Sequence, residues 1–563
     1  PVLSEVDYDI FERRFWPKLR QKCPQSCDAS LVWREIQSHI KGSYRVLDAE
    51  DGHLALQEYC DVARKVSPGF EEHREHIYSA FRTYEELRRQ WHCFDRMDAC
   101  FHLVRRLQRE PYTGPPIQSV AVDEVQDLAQ LELALFFLVT GRPFDGLFIT
   151  GDTSQTVSRS VDFRFCDLRS LFTHFKVTPP EIDQLILNYR SHQKILELSH
   201  RGIVRVLEQA FPHAIDSLEP DLGHRDGPRP IVVNDVALED LTRHLFNLDG
   251  STGGIAFGAS QCVLVRSEEA KAALPEGMRR ALVLTIEQSK GLEFDDVIMV
   301  NFFQDSGYKD WQVLRSFQHL DEPAAAGEEP RKRPHFERYR HTLLCSELKH
   351  LYTGVTRTRH VLLFIEEDPN QARHAFNLWG DMGLVTFGLM EPESQAAIEQ
   401  LMLRAGESKG EESWKKVGMN LLGKHLFEQA RSAFERAKDE RMVRVCEAYL
   451  LARRAEEAWE ESEAEAAKLY LEAAELFGAV DSGAQRALCL RNGGRHLQAA
   501  EAYEALGQDY WLNAAQAYAL AGELRRASDL YLQLGDHRNA LDCLVQAEAY
   551  EDVKREVLRA HEL

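Results

Sequence analysis

The stretch Ile117-Gln118-Ser119-Val120-Ala121-Val122-Asp123-Glu124-Val125-Gln126-Asp127 joins a short apolar run to a group of carboxylates. A β-branched run of this length predicts a buried strand. In parallel α/β sheets, ligands bind outside the carboxyl ends of the strands, where Asp123 and Glu124 would lie. One acid there can hold Mg²⁺, and its neighbour can orient or deprotonate an attacking water. The alternative is an acidic turn without a chemical role, because such turns commonly join strands to helices.

Six more apolar runs of this kind follow along the chain: Gly146–Thr150, Pro230–Val233, Gln261–Val265, Ala281–Ile286, Asp296–Val300 and His360–Ile365. Helical patterns separate them, for example Leu131–Val139 and Gln193–Leu207. Alternation of strands and helices predicts a mainly parallel sheet with helices on its faces. The central part of the chain is therefore predicted to be α/β.

Four further motifs lie at strand ends or lead into strands: Phe148–Gln155, Leu187–Ser191, Leu284–Phe294 and Leu351–Arg359. In these, Gln155 could sense a γ-phosphate or an attacking water. The ring of Tyr189 could stack on an adenine, and the fork of Arg190 could grip phosphate oxygens. Each motif alone is a weak signal, so their order along the chain carries the interpretation.

Together the five motifs resemble motifs II to VI of the UvrD/Rep-like superfamily 1 helicases, in sequence and in order, from about Ile117 to Asp368. Within that group the chain is most similar to the TPR and ankyrin repeat-containing proteins with a UvrD-like helicase domain. The stretches Phe163–Phe172 and Gly291–Phe303 carry this closer similarity. The resemblance implies an α/β RecA-like fold of the P-loop NTPase type, with parallel sheets and helices on both faces. It implies ATP and Mg²⁺ between two RecA-like domains, the first of them incomplete.

The resemblance also implies roles for the residues of the first two motifs. Asp123 would hold Mg²⁺, and Glu124 would be the catalytic carboxylate for the attacking water. Asp152 would lie among the nucleotide-binding residues. Gln155 would couple the γ-phosphate to domain movement and so act in catalysis.

The later motifs are implied to complete the nucleotide site. Tyr189 would stack on the base, Arg190 would contact the γ-phosphate and Glu293 would bind the ribose hydroxyl. Arg357 would be an arginine finger that reaches across from the second RecA-like domain. Such a finger raises the hydrolysis rate by about 10³–10⁵-fold.

The sequence departs from the family pattern at the phosphate-binding loop. No Gly-x4-Gly-Lys-Ser/Thr is present, and the near match Gly418–His425 ends in histidine and follows no predicted strand. In the family this loop precedes motif II beyond a helical insertion. We therefore expect the chain to be part of a longer protein whose loop lies before Pro1, and we expect this part to be inactive alone.

The positions that face the nucleic-acid strand in the family also differ. Ser158 and Ser160 stand where aromatic residues stack on bases, and Glu287 stands where a histidine contacts the strand. Loss of base stacking costs about 1–3 kcal/mol per base, and an acid repels phosphate. The nucleotide-facing residues thus keep the family pattern, while the strand-facing residues do not.

Outside the core, the predicted domains are helical. Residues 1–115 show helical periodicity and are predicted to be the insertion-like part of domain 1, which continues through 116–180. Residues 181–390 would form the second domain, with a mobile loop near 321–336. Residues 391–563 repeat the spacing Gly-x4-Ala-x3-Tyr-x3-Gly from Gly494 and again from Gly522, which predicts TPR-like α-helical repeats and a protein partner on that tail.

Composition limits the remaining choices. The net charge is −22, so a nucleic-acid surface must be local. The eleven cysteines form no zinc pattern, which favours reduced thiols in a nuclear or cytoplasmic protein. No apolar run approaches the ~18–20 residues of a membrane span, and none of the partners is expected to be a membrane.

Three functions remain open on the sequence. The first is a helicase-type ATPase whose partners are a nucleotide and single-stranded DNA or RNA. The second is a non-catalytic scaffold with a helicase-like body, in which the helical tail binds other proteins. The third, an RNA-binding factor, has no aromatic–basic platform in the sequence to support it.

Overall fold

The structure is a computed structural model that describes residues 4–24, 27–66, 73–110, 112–140, 146–156, 163–217, 219–245, 257–317, 336, 341–459 and 462–555. The chain forms two compact units, Pro1–Ala256 with Gln261–Arg404, and Phe257–Ser260 with Ala405–Leu563. Among the described helices, none combines the length and apolarity that a membrane crossing requires. The loop predicted near 321–336 lies outside the described residues, apart from Phe336.

The strands are, in chain order, Ser4–Val6 (β1), Cys93–Asp95 (β2), Val120–Val122 (β3), Leu147–Ile149 (β4), Leu187–Asn188 (β5), Leu222–Gly223 (β6), Ile231–Asn234 (β7), Gln261–Val265 (β8), Leu282–Thr285 (β9), Phe294–Val300 (β10), Thr358–Glu366 (β11) and Thr386–Phe387 (β12). All seven strands predicted from the sequence are present, with bounds shifted by a few residues. The five others are two or three residues long, which is too short to show an alternating pattern.

The first unit also contains α-helices at Tyr8–Ile10, Trp16–Leu19, Ala29–Arg34, Leu56–Val66, Arg74–Gln90, Arg96–Arg109, Gln130–Val139, Phe165–His174, Gln193–Ser199, Arg205–Ala210, Leu238–Leu245, Glu268–Ala273, Glu276–Arg279, Phe302–Asp305, Thr342–Val355 and Pro369–Asp381. The helix Pro392–Glu407 belongs to the first unit up to Arg404 and to the second unit from Ala405. Short 3-10 and π-helical turns lie at Phe11–Phe15, Arg20–Lys22, Glu35–Ile40, Tyr44–Asp48, Val125–Asp127, Thr153–Gln155, His200–Val204 and Trp311–Phe317.

The main sheet is six-stranded and wholly parallel, in the order β12-β7-β11-β10-β8-β9. Every residue of β8 and β9 is buried. A strand buried along its whole length is covered on both faces, as in α/β proteins. The predicted mixed α/β architecture is confirmed.

The amino-terminal region differs from its prediction as a purely helical segment. β1 and β2 pair in parallel, Ser4 opposite Cys93 and Val6 opposite Asp95. The paired segments are far apart in the sequence, so local periodicity could not reveal them. One hydrophobic core runs from Val6 to Phe172 and includes Val122 beside β4. The helical region and the motif II strand therefore share their packing.

The second unit is built of α-helices at Glu411–Gly423, Phe427–Arg436, Glu440–Ala458, Glu463–Ala479, Gly483–Asn492, His496–Ala505, Trp511–Ala521, Leu524–Gln533 and His537–Gln546, with a 3-10 turn at Gln508–Tyr510. Each helix packs mainly on its neighbours in sequence, as in a solenoid. The predicted repeat alanines Ala499, Ala527 and Ala540 are fully buried. Gly522 ends its helix at φ +82°, a conformation that favours glycine. The predicted helical repeats are confirmed.

Glu366 is a buried carboxyl group at the carboxyl end of β11. It is 1% exposed and accepts hydrogen bonds from the backbone N–H groups of Phe303 (2.8 Å) and Gln304 (3.2 Å). Burial raises the pKa of Glu366 from 4.5 to about 8. Between about pH 4.5 and pH 8, Glu366 is therefore protonated in the folded protein and ionised in the unfolded chain. Stability from this group is complete below about pH 4.5 and is lost as the pH rises through about 8.

We expect Glu366→Gln to remove most of this pH dependence, because the amide is neutral at every pH. Between pH 5 and pH 9 the stability of the variant relative to the wild type should rise by about 4 kcal/mol. The cost of placing the amide Nε2 against one of the two N–H donors is the same at both pH values. Thermal unfolding at both pH values measures this. Glu276→Gln, at a side chain that is 78% exposed, is the matched control. Parallel pH profiles for Glu366→Gln and the wild type would contradict the prediction.

Candidate nucleotide site

The motif II and motif III residues meet because β3 and β4 are adjacent and parallel. The Thr150 N–H donates to Val122 O at 2.8 Å, and the Val125 N–H donates to Thr150 O at 3.0 Å. This register brings the two carboxyl ends to one edge. There Asp123 Oδ1 accepts hydrogen bonds from Thr150 Oγ1 (2.7 Å) and from the Glu124 N–H (2.9 Å).

Glu124 has a left-handed backbone with φ 54°. Non-glycine residues seldom adopt this region, and such strain is concentrated at functional sites. Gln126 is fully buried and donates from Nε2 to Glu124 Oε2, while its Oε1 accepts from the Asp152 N–H at 3.1 Å. A Cβ at Gly151 would collide with that Oε1 and lie 2.8 Å from Val125 Cγ1, so a larger residue there requires these side chains to move. Gln126 thus holds the Glu124 carboxylate and Asp152 in a fixed relation.

Asp152 joins motif III to motif VI. Its Oδ2 accepts from Gln155 Nε2 and from the Tyr352 hydroxyl, both at 2.9 Å. Burial, and next the Asp152 carboxylate, raise the pKa of Tyr352 well above its usual value. The hydroxyl therefore remains a donor to Asp152 throughout the physiological pH range.

Arg357 is directed at Gln155. The guanidinium is 1% exposed, and Nη2 donates to Gln155 Oε1 at 2.7 Å. Nη1 donates to Leu292 O at 3.2 Å and Nε to Thr353 O at 3.0 Å, which fixes the plane of the group. Burial, together with the nearby Arg190, lowers the pKa of Arg357 to about 10. It therefore keeps its positive charge at neutral pH.

Arg190 and Glu293 form an ion pair with Nε 2.7 Å from Oε2. The hydrogen bond from Arg190 lowers the pKa of Glu293. Tyr189 is 70% exposed, and its ring lies 5.6 Å from that of His224 between centroids. Arg190 and Glu293 are therefore in direct contact, while the Tyr189 ring lies against His224. A nucleotide contact by Arg190 or Glu293 requires the ion pair to open or to be shared with the ligand.

Oxygen donors around Asp123 fit Mg²⁺ in the way nucleotide enzymes hold it. Mg²⁺ prefers one or two carboxylates and completes its shell with water and phosphate oxygens. Asp123 is exposed, and only its Oδ1 is engaged by the hydrogen bonds from Thr150 and Glu124. The donor set therefore suits an ion shared with a nucleotide.

Elsewhere in the described residues, three acids cluster tightly enough to suggest a metal site, but a lysine already pairs with all of them. Glu85, Asp95 and Asp98 have the spacing of a metal site. Lys41, 2% exposed, places Nζ 3.2 Å, 2.5 Å and 2.8 Å from these three carboxylates respectively. Burial alone would lower the pKa of Lys41, but the three acids raise it. This cluster is a buried ion network in the helical region.

We expect Lys41→Met to destabilise the first unit by about 3–5 kcal/mol, because the buried Asp95 loses its cation, while Glu85 and Asp98 retain Arg88. Chemical denaturation, followed by tryptophan fluorescence, measures the change. Arg13→Met removes an exposed charge and should change stability by less than about 0.5 kcal/mol. Equal stability of the two variants would show that the network contributes little.

Sequence comparison relates the chain to human TPR and ankyrin repeat-containing protein 1. The two are 38% identical over 395 residues, which is 66% of this chain and 13% of the relative, so the chain spans a small part of that protein. No protein-family model matches the chain. The C-terminal domain of a possible DNA helicase from Lactobacillus plantarum WCFS1 matches 36% of this chain and 98% of its own length. With 17% identity and a TM-score of 0.20, that likeness is too weak to support an argument.

Sequence reasoning assigned no role to Gln126, Tyr352 or Lys290, although all three lie inside the quoted motifs. Lys290 Nζ donates to Asp127 Oδ1 at 2.7 Å and to Gln155 O at 3.0 Å, and it lies 3.9 Å from Glu124 Oε2. The available signal was a polar side chain inside a motif that was predicted to contain catalytic residues. The hydrogen-bond partners of these side chains lie mostly in other motifs, so the sequence alone could not identify them.

Glu287 lies at the position where, in the family, a histidine is predicted to contact the nucleic-acid strand. Its Oε1 is 3.3 Å from His350 Nε2, and His350 Nδ1 is 2.7 Å from Ser346 O. A carbonyl oxygen only accepts hydrogen bonds, so Nδ1 is the donor and Nε2 faces the carboxylate. Ser158 and Ser160 lie outside the described residues. Nε2 donates to Glu287 only when both ring nitrogens carry protons, and His350 lies on the helix Thr342–Val355, which leads into motif VI.

Proposed function

We propose that this chain is part of a UvrD-like superfamily 1 helicase-type ATPase that binds and hydrolyses ATP between two RecA-like domains. One observation carries the proposal: a continuous set of hydrogen bonds joins Glu124, Asp152, Gln155 and Arg357, with Gln126 as the link to Glu124. These residues come from three separate motifs. A structural ion pair would not require a buried arginine, a strained glutamate and a glutamine to converge.

The proposed domains follow the sequence analysis. Residues 1–115 are the insertion-like part of domain 1, and 116–180 are the rest of that domain. Residues 181–390 form the second RecA-like domain, and 391–563 form TPR-like repeats. The shared core of the helical region with Val122 and the unbroken parallel sheet from β7 to β12 support this division.

In the proposed mechanism, Glu124 orients the attacking water and accepts its proton. Gln126 restrains the Glu124 carboxylate. Gln155 donates to the γ-phosphate from Nε2, which here donates to Asp152 Oδ2, while its Oε1 accepts from Arg357. Arg357 neutralises charge that develops on the transferred phosphoryl group. Mg²⁺ bound at Asp123 would neutralise the phosphate oxygens. Tyr189, Arg190 and Glu293 would hold the base, the γ-phosphate and the ribose.

ATP hydrolysis tests the proposal, measured on the protein extended upstream of Pro1 to include a Gly-x4-Gly-Lys-Ser/Thr loop. Phosphate release is followed with and without single-stranded DNA or RNA. Turnover that depends on Glu124 supports the ATPase. Stimulation by a strand would add a nucleic-acid-dependent motor, despite the acid at Glu287.

A non-catalytic scaffold is the second candidate. The lack of a phosphate-loop motif in residues 1–563 favours it. Residues 1–563 contain no such loop, and the near match at Gly418–Gly423 lies inside the helix Glu411–Gly423. The tail exposes leucines at Leu506, Leu512, Leu520 and Leu534, which suits a protein partner. A folded extended protein that neither binds nor hydrolyses ATP would establish this candidate over the first.

A further inference from the structure

A row of cations lies along the first helical segment. Arg14, Lys18 and Lys22 are four residues apart in a segment that passes from a π-helical through an α-helical to a 3-10 turn, and Arg14 and Lys18 lie against the same side chain, Trp91. Residues 13–22 contain five cations and no acid, in a chain with a net charge of −22. Like charges at this spacing repel each other and destabilise a helix unless another group compensates them.

Trp91 supplies part of that compensation. Lys18 Nζ lies 4.3 Å and Arg14 Cζ 5.3 Å from the centroid of its ring. The ring also packs on Phe15, with centroids 4.7 Å apart. Cation–π contacts of this kind contribute about 0.5–1 kcal/mol at exposed sites. They hold two cations in place at the surface and lower the entropy lost when a ligand binds.

The row continues beside the helix Arg74–Gln90. Lys22 Nζ donates to Thr83 Oγ1, and Trp91 directly follows that helix. Lys18 and Lys22 are exposed, and Glu86 is the exposed acid of the helix near Thr83. The five cations of residues 13–22 outnumber the exposed acids Glu12 and Glu86, so the surface carries a net positive charge, and Trp91 packs against it. The sequence could not show this arrangement, because Trp91 is distant from Arg14 along the chain.

We propose that Arg14, Lys18 and Lys22 form a surface that binds the phosphate backbone of a nucleic-acid duplex without reading its sequence. This surface lies outside the nucleotide site, and the proposal does not depend on ATP hydrolysis. Phosphate contacts position a protein on a duplex and carry no base information.

Binding energetics favour a duplex over an acidic peptide, and the engaged ring of Trp91 favours a duplex over a single strand. Exposed pairs between cations and carboxylates contribute about 0.2–1 kcal/mol each, so three such pairs would hold an acidic peptide only weakly. A duplex adds counterion release, which gives dissociation constants of about 10⁻⁴–10⁻⁶ M without sequence specificity. Single-strand binders also need free aromatic faces for the bases. Here Trp91 is engaged by Phe15 and by the two cations.

Fluorescence anisotropy with a labelled random-sequence DNA duplex of 20 base pairs tests the proposal on residues 1–563. Combined Arg14→Ala, Lys18→Ala and Lys22→Ala should weaken binding at least about 10-fold at 50 mM salt. It should also make the slope of log K against log salt shallower by about 2–3, since each phosphate contact contributes about 0.9. Combined Arg105→Ala, Arg106→Ala and Arg109→Ala removes equal charge from the helix Arg96–Arg109 and should change affinity less than about 3-fold.

Two further variants keep the test decisive. Lys18→Arg with Lys22→Arg preserves charge and should bind within about 2-fold of the wild type. Glu276→Gln, at a side chain that is 78% exposed, should bind normally. Circular dichroism melting confirms that each variant is folded. Equal losses in the two alanine triples, tighter binding to a single strand than to the duplex, or binding only to a polyglutamate peptide would overturn the proposal.

Discussion

Arg357→Ala is expected to lower the ATP hydrolysis rate of the extended protein by about 10³–10⁵-fold while changing ATP affinity less than about 10-fold. The guanidinium is 1% exposed and donates to Gln155 Oε1 at 2.7 Å, so its charge lies beside the residue proposed to contact the γ-phosphate. A charge in a site shielded from water stabilises a transition state more strongly than one in solvent. Single-turnover hydrolysis and equilibrium nucleotide binding separate the two effects.

Arg280→Ala is the matched control, because that side chain is 63% exposed and pairs with Glu276. It should leave both quantities unchanged. Arg357→Ala also leaves Leu292 O and Thr353 O without their donor, so its melting temperature must be measured. Arg357→Lys retains the charge and tests the need for the planar fork. A normal rate in a folded Arg357→Ala protein would mean that Arg357 does not act on the nucleotide.

The strands and the helical repeats could be predicted because their signals are local. β8, for example, was predicted with the bounds Gln261–Val265 that the structure has. The buried alanines and helix-ending glycines of the tail repeat at fixed short spacing. In both cases the pattern that determines the element lies within about one element's length, so reading along the chain was sufficient.

The side-chain partners in the site could not be predicted, because they are far apart along the chain. Tyr352 and Asp152 are separated by 200 positions, and Lys290 and Asp127 by 163. The motifs identified which residues would converge but not which atoms would meet. Arg190 and Glu293 were assigned separate nucleotide contacts, yet their shortest contact is with each other. Only the packing of β3, β4 and the motif V and VI segments determines these pairs.

Glu124→Gln is expected to reduce turnover by at least about 10²–10⁴-fold, while nucleotide binding remains within about 3-fold of the wild type. The amide has nearly the shape of the carboxylate and can still accept the hydrogen bond from Gln126 Nε2, but it cannot take a proton from water. Phosphate release measures turnover, and a fluorescent ATP analogue measures binding. Glu110→Gln, at a side chain that is 76% exposed, is the control and should behave as wild type.

The pattern of results identifies the role of Glu124 as well as its importance. Loss of turnover with retained binding assigns proton transfer or water orientation to the carboxylate. Loss of both would assign nucleotide or Mg²⁺ binding to it, because Glu124 and Asp123 are adjacent on one strand end. Unchanged turnover would exclude Glu124 from the chemistry. Its left-handed backbone would then have to be explained by the Gln126 contact alone, and the helicase-like pattern would be a structural inheritance.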